Sequence, residues 1–244
     1  MKVFKGLNNL PPFRNAVATM GSFDGVHSGH RELLHRVAST AAASDGESIV
    51  LTFEPHPRYV LGSGDGLRLL STLDEKLWLL ERSGIDNVIV LPFTVEFSRT
   101  SPREFIENDI AGIGIRRLVV GYNHRFGHNK EGDYNFLESR ASGIEIEMVE
   151  QQQVAESKVS STIIRQVVAG GMLEKARKLL SHPYIIMCEV AADGAIAEID
   201  PHKLLPPAGI YDAVVDGRAT TLTVVDEGLR VGPDCPHGKI IIEL

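Results

Sequence analysis

The stretch VATMGSFDGVHSGH, residues 17–30, runs directly into RELLHRVASTAAA, residues 31–43, and its reading decides the fold. Residues 17–20 are a short apolar run of strand character, while residues 29–43 carry apolar groups at helical spacing. Gly21, Gly25 and Gly29 supply the torsions of a tight strand-to-helix turn and let a ligand approach the backbone closely. Residues 21–30 therefore sit at the carboxyl end of a strand and the start of a helix. Open α/β sheets bind ligands there, and the free amides of the helix start favour an anion. From that turn His27 and His30, three residues apart, can point at one phosphate.

Two plainer readings compete: a metal pair, or two surface histidines. A metal site needs a third ligand, and neither an HExxH pattern nor a nearby cysteine supplies one, so no metal ligands are assigned. An HxGH string by itself arises by chance; the strand before it, the glycines around it and the helix after it give it weight. Other phosphate loops fail, since nothing matches GxxxxGK[ST] and Gly112-Ile113-Gly114 lacks the third glycine of a dinucleotide fingerprint.

Outward from this turn, strand-like runs near 17–20, 48–53, 87–92, 117–121 and 144–149 alternate with helical stretches near 29–43, 73–83, 102–111 and 134–142. That rhythm belongs to strand–helix units around a parallel sheet. Thr72 with Glu75 has the form of a capping box, and Ser101, Pro102 and Glu104 combine a cap, a first-turn proline and a third-position glutamate. Helical stretches near 162–169 and 173–180 are separated by Gly170-Gly171, and His182-Pro183 stops the pattern. After Tyr184 the texture changes to short strands near 185–190, 219–225 and 239–243, broken by Asp193-Gly194, Asp216-Gly217 and Glu227-Gly228. The expected organisation is an α/β parallel sheet flanked by helices over residues 1–183, then a small β-rich lobe over residues 184–244 that leans on the first part for burial.

Composition narrows the functional classes. With 43% hydrophobic and 23% charged residues the chain is an ordinary globular sequence, and its net charge of -7 leaves no basic stripe for a long nucleic acid. A small phosphate ligand needs only a local cradle of amides and a few cations. Cys188 and Cys235 have neither zinc-site nor redox spacing and read as plain thiols. The first residues lack the apolar core of a signal peptide and no later run is long enough to span a bilayer, so no membrane association and a cytoplasmic location are expected. Oligomeric state is left open.

Three further motifs carry candidate contacts. In VSSTIIR, residues 159–165, the hydroxyls of Ser160, Ser161 and Thr162 open a helix whose first turn bears Arg165, a set that fits either a pyrophosphate clamp or an ordinary N-cap. TFEPHPRYVL, residues 52–61, and GYNHRFGHN, residues 121–129, each follow a strand on the same sheet edge as His27 and His30. Pro55 and Pro57 stiffen the loop around His56, and Asn123, Arg125 and Phe126 offer amide, cationic and aromatic contacts suited to a base or fused ring.

Taken in order, GSFDGVHSGH, TFEPHPRYVL, the stretch LDEKLWLLERSGIDNVIVLPFTVEFSRTSPREFI, VGYNHRFG, VSSTIIR and GGMLEKARKLLSHPY resemble the bacterial FAD synthetase (RibF) family from about residue 17 to residue 184. That family's module is a Rossmann-like nucleotidyltransferase of the HxGH type. The resemblance implies FMN adenylyltransferase activity, ATP + FMN giving FAD and pyrophosphate, with Mg²⁺ bridging the ATP phosphates. It implies that His27 and His30 steady the α-phosphate while Ser160, Ser161, Thr162 and Arg165 hold the departing pyrophosphate. Gly21, Ser22, Phe23, Gly29, Asn123, Phe126 and Gly127 would lie at the adenine nucleotide, and Pro55, His56, Pro57 and Arg125 toward the flavin. Asn123 departs from the acidic residue common in relatives; as a neutral amide it alters nucleotide contacts without abolishing them.

Family members usually continue into a riboflavin kinase barrel that opens with a GFPTAN-like motif. Here KLLPPAGIY, residues 203–211, resembles one barrel segment, but the phosphate motif before it and the catalytic portion after it are absent, so no riboflavin kinase activity is expected. Two alternatives stay open: transfer to another phosphorylated acceptor, and a non-catalytic flavin-nucleotide binding protein.

Overall fold

In the computed structural model, which describes residues 1–150, 153–154, 157–191, 196–225, 228–232 and 235–244, the run that opens the HxGH stretch forms the second of six parallel strands. These are β1 (Lys2–Lys5), β2 (Ala16–Met20), β3 (Ser48–Glu54), β4 (Asn87–Pro92), β5 (Ile115–Gly121) and β6 (Glu145–Val149), in the order β1-β4-β3-β2-β5-β6. Every neighbouring pair is parallel. Residues of β2 and the first five of β3 are all buried, as expected of strands covered on both faces. The helical elements are α1 (Ser28–Ala43), α2 (Pro57–Val60), α3 (Leu73–Arg82), α4 (Pro102–Glu104) and α5 (Tyr134–Arg140). Helix α1 buries Leu33, Leu34, Val37 and Ala41, one face at three- and four-residue spacing.

Around the parallel sheet, β1 and the helical segment after β4 differ from the sequence reading. Strand β1 was not expected; it is a four-residue edge strand bounded by Lys2 and Lys5, too short for periodicity to reveal. The single helix expected over 102–111 is instead α4, a π turn at Phe105–Ile110 and a 3₁₀ turn at Ala111–Ile113 closed by Gly114 at φ 78°. Phe105 and Ile110, both buried, are five residues apart, a spacing that a wider turn places on one face. Both capping boxes form: Thr72 N–H donates to Glu75 Oε2 at 2.8 Å, and Ser101 N–H to Glu104 Oε2 at 2.9 Å.

The chain packs as two compact units, one of Met1–Phe23, Gly29–Gly66 and Leu79–Gln152, the other of Asp24–Ser28, Leu67–Trp78 and Gln153–Leu244. The first holds the parallel sheet, with a core of Ala18, Met20, Ile49, Leu51, Ile89 and Leu118 and the helix residues Phe105, Ile110 and Leu137. The second contains the short pair β7 (Gln153–Val154) and β8 (Ser157–Lys158), then α6 (Ser161–Ala169) and α7 (Leu173–Leu180). It also holds a six-stranded antiparallel sheet ordered β10-β9-β14-β11-β12-β13, comprising β9 (Ile185–Val190), β10 (Ile196–Glu198), β11 (Gly209–Val215), β12 (Arg218–Val225), β13 (Gly228–Val231) and β14 (Gly238–Glu243). Strands β10, β11 and β13 were not read from the sequence.

Helices α6 and α7 supply Ile164, Val168, Ala176 and Leu180 to the core under that antiparallel sheet. The packing units thus divide differently from the sequence boundary near Pro183, because residues 153–183 pack with the β lobe. Asp216 and Gly217, at φ 50° and 76°, make the two-residue turn expected between β11 and β12. The Asp193-Gly194 turn and Glu227 lie outside the described residues. Both cysteines are free, and no helix among the described residues is long and apolar enough to cross a membrane.

Candidate active site

Strands β2, β3 and β4 step outward to one side of the sheet, and the chain then returns to place β5 on the other side of β2. The connections leaving β2 and β5 therefore diverge, and the carboxyl ends of those two strands form the switch point at which a parallel sheet opens a crevice. Gly21, Ser22 and Phe23 follow β2, while Asn123, Arg125, Phe126 and Gly127 follow β5. Pro55, His56 and Pro57 follow β3, on the other flank of β2. The first unit thus gathers these three predicted loops at one edge of its sheet.

Within that edge the backbone is tightly held. Gly21 N–H donates to Leu51 O at 3.0 Å and Thr52 Oγ1 donates to Ser22 O at 3.4 Å. Phe23 is 1% exposed, and its ring meets the His30 ring edge-on at 5.1 Å. His56 caps α2, its Nδ1 accepting from Arg58 N–H at 3.2 Å. Arg125 pairs with Asp133, the N-cap of α5, at 2.8 Å. Asn123 is exposed. Gly127 has φ 73° and lies where a Cβ would come within 2.6 Å of Pro102, so only glycine fits.

Phe126 departs from its expected use. Its ring is buried against Phe105, Phe136 and a stacked His124, so it belongs to the core and only its backbone faces the loop. The Nε2 atom of His124 is shielded from solvent without a hydrogen-bond partner among the described residues, and burial lowers its pKa to about 4.

The second unit holds the remainder of the HxGH turn with the start of α6. Gly25 and Val26 adopt φ of 79° and 39°, and such conformations cost on the order of 1–3 kcal/mol each for residues that do not favour them. Val26 is 1% exposed, and its burial offsets part of that cost. His27 is buried, which lowers its pKa to about 4 against the opposing pull of Asp24, so the imidazole is neutral at pH 7.

Ser160 is the N-cap of α6, its side chain accepting from Ile163 N–H at 3.4 Å, and Ser161 Oγ donates to Asp24 O at 3.0 Å. Thr162 is exposed in the first turn of the helix. Arg165 donates from Nη2 to Asp24 Oδ2 at 2.6 Å and from Nε to Arg68 O at 3.0 Å. The guanidinium expected to grip phosphate is thus partly committed to protein. Sequence reasoning missed Asp24 here, although a carboxylate inside an otherwise apolar, glycine-rich turn signals a buried charge in need of a cationic partner.

A cavity of about 700 Å³ opens at the opposite, amino-terminal edge of the parallel sheet, lined by Asn15, Arg36, Thr40, Arg116, Arg117 and Glu145 among others. Arg36 and Arg117 are already paired with Glu147 and Glu145, and none of the candidate residues lies in it. The chemistry of the carboxyl edge outweighs its size.

A parallel sheet with this switch point, entered by an HxGH turn that opens a helix, has the α/β fold of the nucleotidyltransferase class. Within that class the chain belongs to the FAD synthetase family, whose model matches residues 11–163. A FAD synthetase of Listeria monocytogenes is 31% identical over 93% of this chain and 92% of its own length. A bifunctional riboflavin kinase/FMN adenylyltransferase of the same organism is 35% identical over 70% of this chain, which spans 55% of that longer protein. The crystal structure of a macrolide-efflux protein from Streptococcus pneumoniae shares the fold, with a TM-score of 0.83 over 99% of this chain and 88% of that one at 21% identity.

Proposed function

We propose that this chain is an FMN adenylyltransferase that joins ATP to FMN and releases pyrophosphate. A phosphate oxygen of FMN attacks the α-phosphorus of ATP, the bond from that phosphorus to the bridging oxygen of the β-phosphate breaks, and the adenylyl group remains on FMN as FAD. The observation that carries this reading is the gathering of the loops after β2, β3 and β5 at the switch edge of the sheet, with the HxGH turn following β2 directly. Such a transfer needs positioning and charge neutralisation more than a covalent nucleophile. Neutral His27 serves as a hydrogen-bond donor to the α-phosphate together with His30. The helix start at Ser160, Ser161 and Thr162, with Arg165, takes the leaving pyrophosphate.

The match with the Listeria FAD synthetase along nearly all of both chains supports this activity. Residues 1–183 are then the transferase part and residues 184–244 an accessory lobe, and use of ATP and FMN as substrates supports a cytoplasmic location. Mg²⁺ is proposed to enter bound to the ATP phosphates, as the Mg-ATP substrate.

Incubation of the purified protein with Mg-ATP and FMN tests the reading: FAD and pyrophosphate should appear in equal amounts, and excess chelator should stop their formation. Transfer to a different phosphorylated acceptor in a parallel panel would move the acceptor. Tight FMN binding with no FAD formed would replace the enzyme by a binding protein.

A further inference from the structure

We propose that Asp24 is a positioning residue for phosphate handling, holding the Arg165 guanidinium in one orientation and clipping the His27 turn to the start of α6. The proposal rests on the adenylyl-transfer reading above. The Asp24 side chain is 2% exposed, a depth at which an ionised carboxylate needs partners on both oxygens. It has them: Oδ2 accepts from Arg165 Nη2 at 2.6 Å and Oδ1 accepts from Ser71 N–H at 3.0 Å. Its backbone carbonyl is used as well, accepting from Ser161 Oγ at 3.0 Å. The next residue extends the clip, with Gly25 N–H donating to Ser71 Oγ at 2.8 Å and Gly25 O lying 3.0 Å from His182 Nε2. Two residues later in the same turn comes His27.

From the arginine's side, a guanidinium has five N–H groups in a rigid plane. One on Nη2 goes to Asp24 and the Nε one to Arg68 O, which fixes both the tilt and the rotation of that plane. The other three N–H groups have no protein partner among the described residues, and the side chain keeps 15% of its surface open. Those three are the donors left for an anion, and their direction is set by Asp24. Without the carboxylate, the same arginine would be a mobile cation that has to be ordered each time pyrophosphate forms.

The test compares FAD formation by the wild type, Asp24→Asn, Arg165→Gln and the double variant, with FMN affinity measured by flavin fluorescence without ATP. Asp24→Asn should lower kcat/KM for ATP by about 10²-fold, the scale of a misplaced contact, with FMN affinity changed by less than about twofold. In the Arg165→Gln background the same substitution should cost less than about twofold more, because its effect passes through that guanidinium. Wild-type kinetics for Asp24→Asn, or an equal loss in both backgrounds, overturns the proposal. Should Asp24→Asn fail to fold, Asp24→Glu keeps the charge but shifts it by one methylene; it should lose at least about tenfold, and full activity would be contrary. A wild type that makes no FAD sinks the functional reading alone. The clip is then decided by calorimetric titration with pyrophosphate, whose affinity should weaken about tenfold in Asp24→Asn and stay equal if Asp24 positions nothing.

Discussion

Burial holds the His27 imidazole at a pKa of about 4 while Asp24 pulls it upward, so before substrate binds the ring is a neutral donor. Replacing His27 or His30 by alanine should lower the rate of FAD formation on the order of 10²–10³-fold with the circular dichroism spectrum retained, since each is proposed to donate to charge that develops in the transition state. Near-normal turnover by both variants would remove them from the mechanism. Acid stability follows from the same burial. The folded pKa values of His27 and His124 lie below the unfolded value of 6.5, so as pH falls through that value the unfolded chain takes up protons that the folded one refuses until about pH 4. Stability should therefore fall between pH 6.5 and 4, by on the order of 3 kcal/mol per histidine, and urea unfolding at stepped pH should show a shallower slope for His124→Phe. Identical slopes for the two proteins would show that His124 is not held neutral. The strand–turn–helix that carries His27 and His30 was legible because strand, glycines and helix follow one another within a dozen residues. The use of Phe126 was not: an aromatic in a loop can turn to a ligand or to the core, and only its neighbours Phe105 and Phe136 decide.

Between elements, the loop before α3 is locked by a buried ion pair. Lys203 Nζ donates to Glu75 Oε2, Leu70 O and Ile185 O, each at 2.7 Å, and lies 4.3 Å from the centre of the Tyr184 ring. Burial lowers the pKa of this ammonium and Glu75 opposes the shift; three acceptors use all three of its N–H groups, which fits the charged form. Glu75 closes the capping box of α3 and also accepts from Met187 N–H at 2.8 Å, so one carboxylate joins helix, β9 and the 203 segment. Lys203→Met should destabilise by about 3–5 kcal/mol by leaving that carboxylate uncompensated, and adding Glu75→Gln, which removes the charge and keeps an acceptor oxygen, should recover part of the loss. Urea unfolding at pH 7 reads both, and a single variant as stable as the wild type would show that the pair does not hold these elements. The capping box was readable from Thr72 and Glu75, which are three residues apart. Its second duty was not, because Lys203 lies 128 residues away from Glu75.

At the scale of the whole chain, the proposed reading assigns it adenylyl transfer to FMN and not the phosphorylation of riboflavin. A riboflavin kinase must enclose ATP and orient the vitamin's terminal hydroxyl with a phosphate loop, metal ligands and a carboxylate in one pocket. Residues 184–244 carry no such loop motif; Asp200 caps a turn through His202 N–H at 2.8 Å, Asp212 is exposed on β11, and Asp226 and Glu227 lie outside the described residues. Riboflavin and ATP should therefore give no FMN above a mock-purified control, and FMN formed in proportion to enzyme would contradict this assignment. The sequence by itself determined the parallel α/β sheet, the glycine-bounded HxGH turn and the family, because strand and helix periods, caps and turn glycines are all encoded within a few neighbouring residues. Tertiary structure alone decided that α6 and α7 complete the core of the antiparallel unit. It also decided that Asp24 finds Arg165 at a separation of 141 residues, and that Glu75 finds Lys203. A buried charge announces that it needs a partner, but which partner it meets depends on how distant segments close upon each other, and no local pattern records that closure.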